Sequence, residues 1–200
     1  MVRQARAQAT RIRLLDATVE ALVETGYAGT TTQEVRRRAG CSRGTLLYHF
    51  PKREDLLVAA LEHVLSSRVE GFVAEHVAEH DALPTPDVDT FIQALWTRWQ
   101  GPALIAWLEL AVAARTNATL REPMRQTMLE FDQQILAAFR TLKPVGELPP
   151  ELEEGALFFT FAVLNGLAVG RSYDTDDQSK PVLGLLSTLA RMLQTSELMA

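Results

Sequence analysis

A single cysteine in 200 residues, Cys41, excludes an internal disulfide framework and a cysteine-built zinc site. Its place between two candidate helices reads as a small packed residue rather than a redox switch. Histidine is scarce as well. His63, His76 and His80 stand thirteen and four residues apart without a carboxylate set beside them, which is no metal-ligating pattern. No stretch gathers an acid, a base and a nucleophile, so an enzyme is not expected and no cofactor or metal is implied. The N-terminus has arginines but no apolar signal core, which points to the cytoplasm. The longest uncharged run, GALFFTFAVLNGLAVG over 155–170, falls short of the roughly twenty apolar residues of a membrane span. It also holds Thr160, Asn165 and glycines, so a helix buried on both sides is expected there rather than a membrane segment. Internal repeats and low-complexity segments are missing too. Hydrophobic residues are not: at 47% they can fill the core of one large domain or two smaller ones, and they exclude a disordered chain.

Net charge is −5, which argues against a generally basic nucleic-acid binder, yet the sum hides an asymmetry. Residues 1–53 carry ten Lys/Arg against four Asp/Glu, net +6, and residues 54–200 carry ten against twenty-one, net −11. A basic head on an acidic body suits a localised DNA contact and disfavours indiscriminate binding.

Within the basic part, Thr31 to Glu54 reads as two short helices joined by a tight turn. Thr31 and Glu34 have the spacing of a capping box, which starts a helix near Thr32. Ala39, Gly40 and Cys41 form the turn, with Gly40 free to take a positive φ, and Ser42 offers a hydroxyl cap for the second helix. Steps of 100° over 43–50 put Leu46, Leu47 and Phe50 on one face. Thr45 and Tyr48 point the other way, flanked by Gly44 and His49. Arg43 suits phosphate or guanine, Thr45 offers a hydroxyl and a methyl, Tyr48 and His49 reach backbone oxygens, and Gly44 allows close approach. The bland alternative is an ordinary helical hairpin with a solvated polar face.

At these residues the chain resembles the TetR family of transcriptional regulators. The resemblance rests on Thr30-Thr31, Ala39-Gly40, Ser42-Arg43-Gly44, Leu46, Tyr48, His49-Phe50 and Arg53-Glu54-Asp55-Leu56, and it covers the first third of the chain. Four positions depart from the family pattern. Leu47 holds the place where the family's tyrosine usually follows the first leucine, so Tyr48 comes one residue late. Arg36 stands for a small alanine, Cys41 for valine, and Lys52-Arg53 for Ser-Lys, which removes a cap from the next helix. The resemblance implies an all-α chain with a helix-turn-helix head over 1–52 and a ligand-binding and dimerisation body over 53–200. It implies a homodimer on a double-stranded operator, most often a repressor, released by a small-molecule effector. The DNA-facing candidates are Thr32, Gln33, Ser42, Arg43, Gly44, Thr45, Tyr48, His49 and Lys52. A rival of another class is a helix-turn-helix protein whose body recruits protein partners without a small ligand.

The rest of the chain is read from periodicity. Residues 1–8, with Arg3 and Arg6, read as an arm, either reaching a groove or phosphates or idle. Ile12, Leu15, Val19, Leu22 and Val23 form the stripe of a first helix over 9–24, stopped by Gly26. Phe50, with Tyr27, is expected to close the three-helix core. In the run Arg36-Arg37-Arg38, neighbours fan around the helix axis and cannot all face DNA; Arg37 is expected to be solvated. A long helix spans 53–79 and carries Leu57, Leu61, Val64, Leu65, Arg68, Phe72 and Val77 near one stripe. Loops are expected over 81–86, over 143–150 and over 172–180, with Asp87 capping the helix after the first of them. ALIAWLELAVAA, whose lone charge is Glu109, reads as buried on most sides; Glu109 faces an ion partner or polarises a ligand cavity. A body pocket is expected from Trp96, Trp99, Trp107, Met124, Met128, Phe131, Phe158 and Phe161, with Asn165 or Glu109 as polar orienters, although plain core is the competing account. The last two helices, through Gly166, Ala168, Gly170, Leu186, Leu189 and Leu193, are expected to pair with a second copy.

Overall fold

The computed structural model describes residues 2–80, 87–142, 150–170 and 179–194. Among them every element is an α-helix, and no strand occurs. Of the loops expected over 81–86, 143–150 and 172–180, residues 81–86, 143–149 and 172–178 lie outside the described residues, while Pro150 already opens one helix and Ser179 and Lys180 open another; the side chains of Arg3, His76, Val77 and His80 are also outside the description. The helices are α1 (Val2–Gly29), α2 (Thr32–Ala39), α3 (Arg43–His49), α4 (Arg53–His80), α5 (Val88–Trp99), α6 (Pro102–Ala114), α7 (Ala118–Leu142), α8 (Pro150–Gly170) and α9 (Ser179–Gln194). They fall into two compact units, Met1–Arg68 with Gly101–Asp132, and Val69–Gln100 with Gln133–Ala200.

The first unit starts earlier than periodicity indicates. Residues 2–8 continue α1 toward the N-terminus instead of forming an arm, since Arg, Gln and Ala are all good helix formers and nothing there breaks the ladder. Gly26 is the break, at φ 68 and ψ −178, a backbone state close to glycine-only. Leu14, Leu15, Ala17, Val19 and Ala21 of α1 pack with Val35 of α2, Leu46 of α3, Phe50 at its C-cap, and Leu56 and Ala60 of α4 into one core. Cys41 lies half-buried against it as a free thiol. α6 also packs on α1. Its buried side is Ala103, Leu104, Ala106, Leu110 and Ala114, while Ile105 and Val112 are exposed, so this helix is covered on one side and not on most.

In the second unit α5 packs against α8 and α9. Asp87 caps α5 as expected: its Oδ1 accepts the N–H groups of Asp89 and Thr90 at 2.9 and 3.1 Å, and its Oδ2 accepts the Thr90 hydroxyl at 2.7 Å. The Thr90 hydroxyl bond, and then its amide, hold the Asp87 carboxyl below the usual range. Phe72 and Phe91 meet edge to face at 5.6 Å. α8 departs from expectation most. By length and composition its Leu152–Gly170 stretch could cross a membrane, but little of it is buried within the chain. Leu152, Phe158 and Phe159 stand exposed on it, so one chain does not cover it on both sides. α9 repeats the pattern: Leu183 and Leu186 are buried, and Leu185, Leu189 and Met192 make a second exposed apolar face at helical spacing.

Candidate nucleic-acid interface

Both reading-pair helices begin where their hydroxyls place them. Thr31 Oγ1 accepts the Glu34 N–H at 3.1 Å, and Ser42 Oγ accepts the Thr45 N–H at 3.1 Å. Gly40 takes φ 60 and ψ 39, the left-handed conformation that closes α2 through a bond from its N–H to the Arg36 carbonyl. The capping box is only half formed. Thr31 N–H donates to the Gly29 carbonyl at 2.8 Å, and the Glu34 carboxylate turns to arginines instead. It takes both Nε and Nη2 of Arg37, at 2.9 and 2.6 Å, and Nε of Arg38 at 2.7 Å. These bonds, Arg37 first, pull the Glu34 carboxyl down to about 2. Arg38 also meets Glu24 of α1 at 2.7 Å. Arg37 is exposed as expected, at 67% of its side chain, and is also paired with Glu34, so two members of the arginine run are spent on carboxylates.

On α3, Leu46 and Phe50 are buried and Tyr48 is 81% exposed, with Arg43 and Gly44 also exposed. Thr45 and His49 are half-buried, and the Thr45 hydroxyl lies 2.9 Å from that of Ser42. The Tyr48 ring stands edge-on to His49 at 5.1 Å. Thr32, Gln33, Ser42 and Lys52 are exposed at the adjoining helix ends. Leu47 does not share the face of Leu46: it is 42% exposed. At 100° per residue it stands 100° from Leu46 but only 60° from Gly44 and 40° from Arg43, both exposed, while Phe50, the C-cap at φ −140 and ψ 92, no longer follows that step, so position and not chemistry decides. The signal was available in the residue order, since Leu47 occupies the place of the family's outward tyrosine.

The other end of this unit is held by residues that periodicity does not reveal. Arg53, at the start of α4, donates from Nε to the Thr30 carbonyl at 2.9 Å and from Nη2 to the Tyr27 carbonyl, while its guanidinium lies 4.3 Å from the centre of the Tyr27 ring. Arg53, which stands where the family pattern has lysine, thus pins α4 to the end of α1. Tyr27 is not a core plug beside Phe50. Its hydroxyl accepts from Asn117 Nδ2 at 2.9 Å, and its N–H donates to Glu109 Oε2 at 2.7 Å. Glu109 consequently serves a backbone donor at the α1 break rather than an ion partner. His63 meets Asp16 at 3.2 Å, across a groove of about 460 Å³ walled by Val19, Val23 and Val64. Among the described residues no group of three metal-ligating side chains converges.

The pocket candidates fall in both units. Trp107, half-buried, lies on α6, with Met124, Met128 and Phe131 on α7; Met124 and Phe131 are buried there. In the second unit Trp96 is buried, and Trp99, Phe161 and Asn165 come together. Trp99 Nε1 donates to Asn165 Oδ1 at 2.9 Å, and the Trp99 and Phe161 rings stand 4.5 Å apart. Phe158, by contrast, is exposed beside Phe159 on the outward face of α8.

Residues 14–60 match the family model described as bacterial regulatory proteins, tetR family. The uncharacterized HTH-type transcriptional regulator Mb2936c of Mycobacterium bovis is 30% identical over 192 residues, covering 92% of this chain and 96% of the relative. The fold is similar to the crystal structure of a candidate TetR-family transcriptional regulator from a Rhodococcus species, at TM-score 0.70 and 24% identity over 90% of this chain and 98% of that one. It is also similar to a candidate regulator from Saccharomonospora viridis solved in complex with choline, at TM-score 0.64 and 18% identity over 91% of this chain and 95% of that one.

Proposed function

The chain belongs to the TetR family of transcriptional regulators, and from that premise we propose that it is a ligand-responsive repressor, a homodimer released from a near-palindromic operator by a small, mostly apolar effector. One observation carries the DNA-reading half of the proposal. Behind a serine cap, α3 buries Leu46 and Phe50 and turns Arg43, Gly44, Leu47 and Tyr48 outward. That surface can enter a major groove, with Arg43 toward phosphate or guanine, Leu47 toward a thymine methyl and Tyr48 toward the backbone. Thr32, Gln33 and Lys52 flank it at helix ends, where exposed polar groups meet phosphates. Residues 1–52 then act as the reading head, and residues 53–200 as the body that binds ligand and pairs. The reading puts the protein in the cytoplasm with its operator.

Dimerisation is supported by the apolar faces of α8 and α9. Leu152, Phe159, Leu185, Leu189 and Met192 would form an isologous four-helix contact, with Gly166 admitting close approach. Ala168 is buried within its own chain and does not contribute. Two heads so paired read half-sites about one helical turn, ~34 Å, apart or a multiple of it.

The effector reading rests on Trp99, Phe161 and Asn165, two partly buried aromatic rings beside an amide. Aromatic faces with few polar groups take an apolar ligand, and they also take a quaternary ammonium through cation–π attraction. Choline, held by the S. viridis protein, is therefore the first compound to try. An effector that bound the DNA-competent and incompetent states equally would release nothing, so affinity without release is not sufficient. The decisive experiment selects bound duplexes from a random pool, then screens metabolites for operator release and for quenching of tryptophan fluorescence. Recovery of a two-fold symmetric site supports the proposal; a pool that remains random overturns it.

A further inference from the structure

The geometry points to Glu109 and Asn117 as positioning residues for DNA reading, which through Tyr27 fix the angle at which α1 and its helix-turn-helix meet α6. The inference deepens the operator-reading proposal and rests on it.

The reason begins with a backbone donor. A continuous helix would give the Tyr27 N–H to the carbonyl four residues back, but Gly26 at φ 68 and ψ −178 interrupts that ladder. An unserved amide in a packed region is costly, and the Glu109 carboxylate answers it at 2.7 Å. Glu109 is the one charged residue of α6, PALIAWLELAVAA, and a carboxylate half-buried in such surroundings needs a strong partner. Gly26 leaves room for it. A Cβ at that position would come within 2.9 Å of Glu109 Oε2.

Asn117 supplies the second point. Its Oδ1 caps α7 by accepting the N–H of Thr119 at 3.0 Å, and its Nδ2 donates to the Tyr27 hydroxyl at 2.9 Å. Held at its amide by α6 and at its phenol by the turn into α7, Tyr27 can neither slide nor pivot. Its carbonyl and ring are taken by Arg53, which brings the first turn of α4 into the same joint. Thr30 closes it: buried, it donates both its N–H, at 3.1 Å, and its hydroxyl, at 2.7 Å, to the Gly26 carbonyl. Groups from α4, α6 and the α6–α7 turn therefore converge on one tyrosine of α1, and those from α6 and its turn set its direction.

Orientation matters only when two heads must land together. A wobbling head binds an isolated half-site normally but loses effective concentration for the second half-site. The test uses the full chain and the operator selected by the wild type, with anisotropy titrations on a duplex carrying both half-sites and on one carrying a single half-site, at one salt concentration. Glu109→Ala is expected to weaken the two-site duplex about ten-fold while changing the single half-site less than about two-fold. Glu109→Gln, whose carboxamide oxygen still accepts from Tyr27, should return to within about three-fold of wild type on both. Tyr27→Phe, which removes only the Asn117 bond, should fall between them. Hydrogen exchange of the peptide containing Tyr27 should quicken in Glu109→Ala and not in Tyr27→Phe. Equal loss on both duplexes, or loss on neither, overturns the inference. If Glu109→Ala does not fold, Tyr27→Phe decides: an unchanged two-site to one-site ratio overturns it. A wild type that selects no sequence removes the DNA-reading proposal itself, and this inference with it.

Discussion

The head end of the first unit and the α8–α9 pair of the second are built on opposite terms. Around α1–α3 most large apolar side chains are buried or half-buried, both short helices are capped by hydroxyls, and Arg37 and Arg38 are matched to Glu34 and Glu24. The exposed ones are Ile12 on α1 and, side by side on α3, Leu47 and Tyr48. Along α8 and α9 apolar exposure is the rule: Phe159 at 50% and Leu185 at 61% stand out from helices whose other sides are packed. A small region that completes its own core can present a few side chains with precision. A region left with a broad apolar face is complete only when something covers it.

The largest effect expected from breaking this contrast is at Leu46. Leu46→Asp puts a carboxylate into the head core and should cost more than about 4 kcal/mol, abolishing operator binding and lowering the melting temperature seen by circular dichroism. The matching change on the other side, Phe159→Asp with Leu185→Asp, should leave helicity intact and convert a dimer to a monomer by light scattering, with loss of two-site binding. A double variant that remained dimeric would remove α8–α9 as the interface.

Smaller losses are expected at the presented side chains. Arg43→Ala and Tyr48→Ala are each expected to cost about 1–3 kcal/mol of operator affinity with no change in melting temperature, and full retention by either would displace α3 as the reading helix. Leu47→Ala should relax preference at one base position more than it lowers affinity. The smallest effect is acid dependence. The Glu34 carboxyl is held at about 2, below its ordinary 4.5, so its stabilising share is complete above about 4.5 and is lost as pH falls toward 2. Glu34→Gln should flatten that part of the pH–stability curve; an unchanged slope would show that the arginine pairs on α2 add nothing.

Much of this architecture is legible in the order of the residues. The caps at Thr31, Ser42 and Asp87, the left-handed Gly40 and the break at Gly26 are local matters, decided by hydroxyls, carboxylates and missing Cβ atoms within four residues of where they act. The stripe Leu57–Leu61–Leu65 is buried for a similar reason: a helix with one apolar face has one way to hide it. Leu47 escapes that logic because its chemistry favours the core while its angle does not.

By itself, then, the sequence determined where the capped helices α2, α3 and α5 start, which faces are apolar, and that a basic helix-turn-helix of TetR type stands at the N-terminal end. Only the tertiary structure decided what serves Tyr27. Glu109 lies 82 residues from it and Asn117 lies 90, and no periodicity links an acid on an apolar helix to one backbone amide at a distant break. It likewise decided that α8 is open on one side, because an uncharged run looks the same whether its second face meets its own chain or is left uncovered. Local hydrogen-bonding and periodicity are short-range and written in order along the chain; partners across a fold depend on how the helices dock, which packing settles.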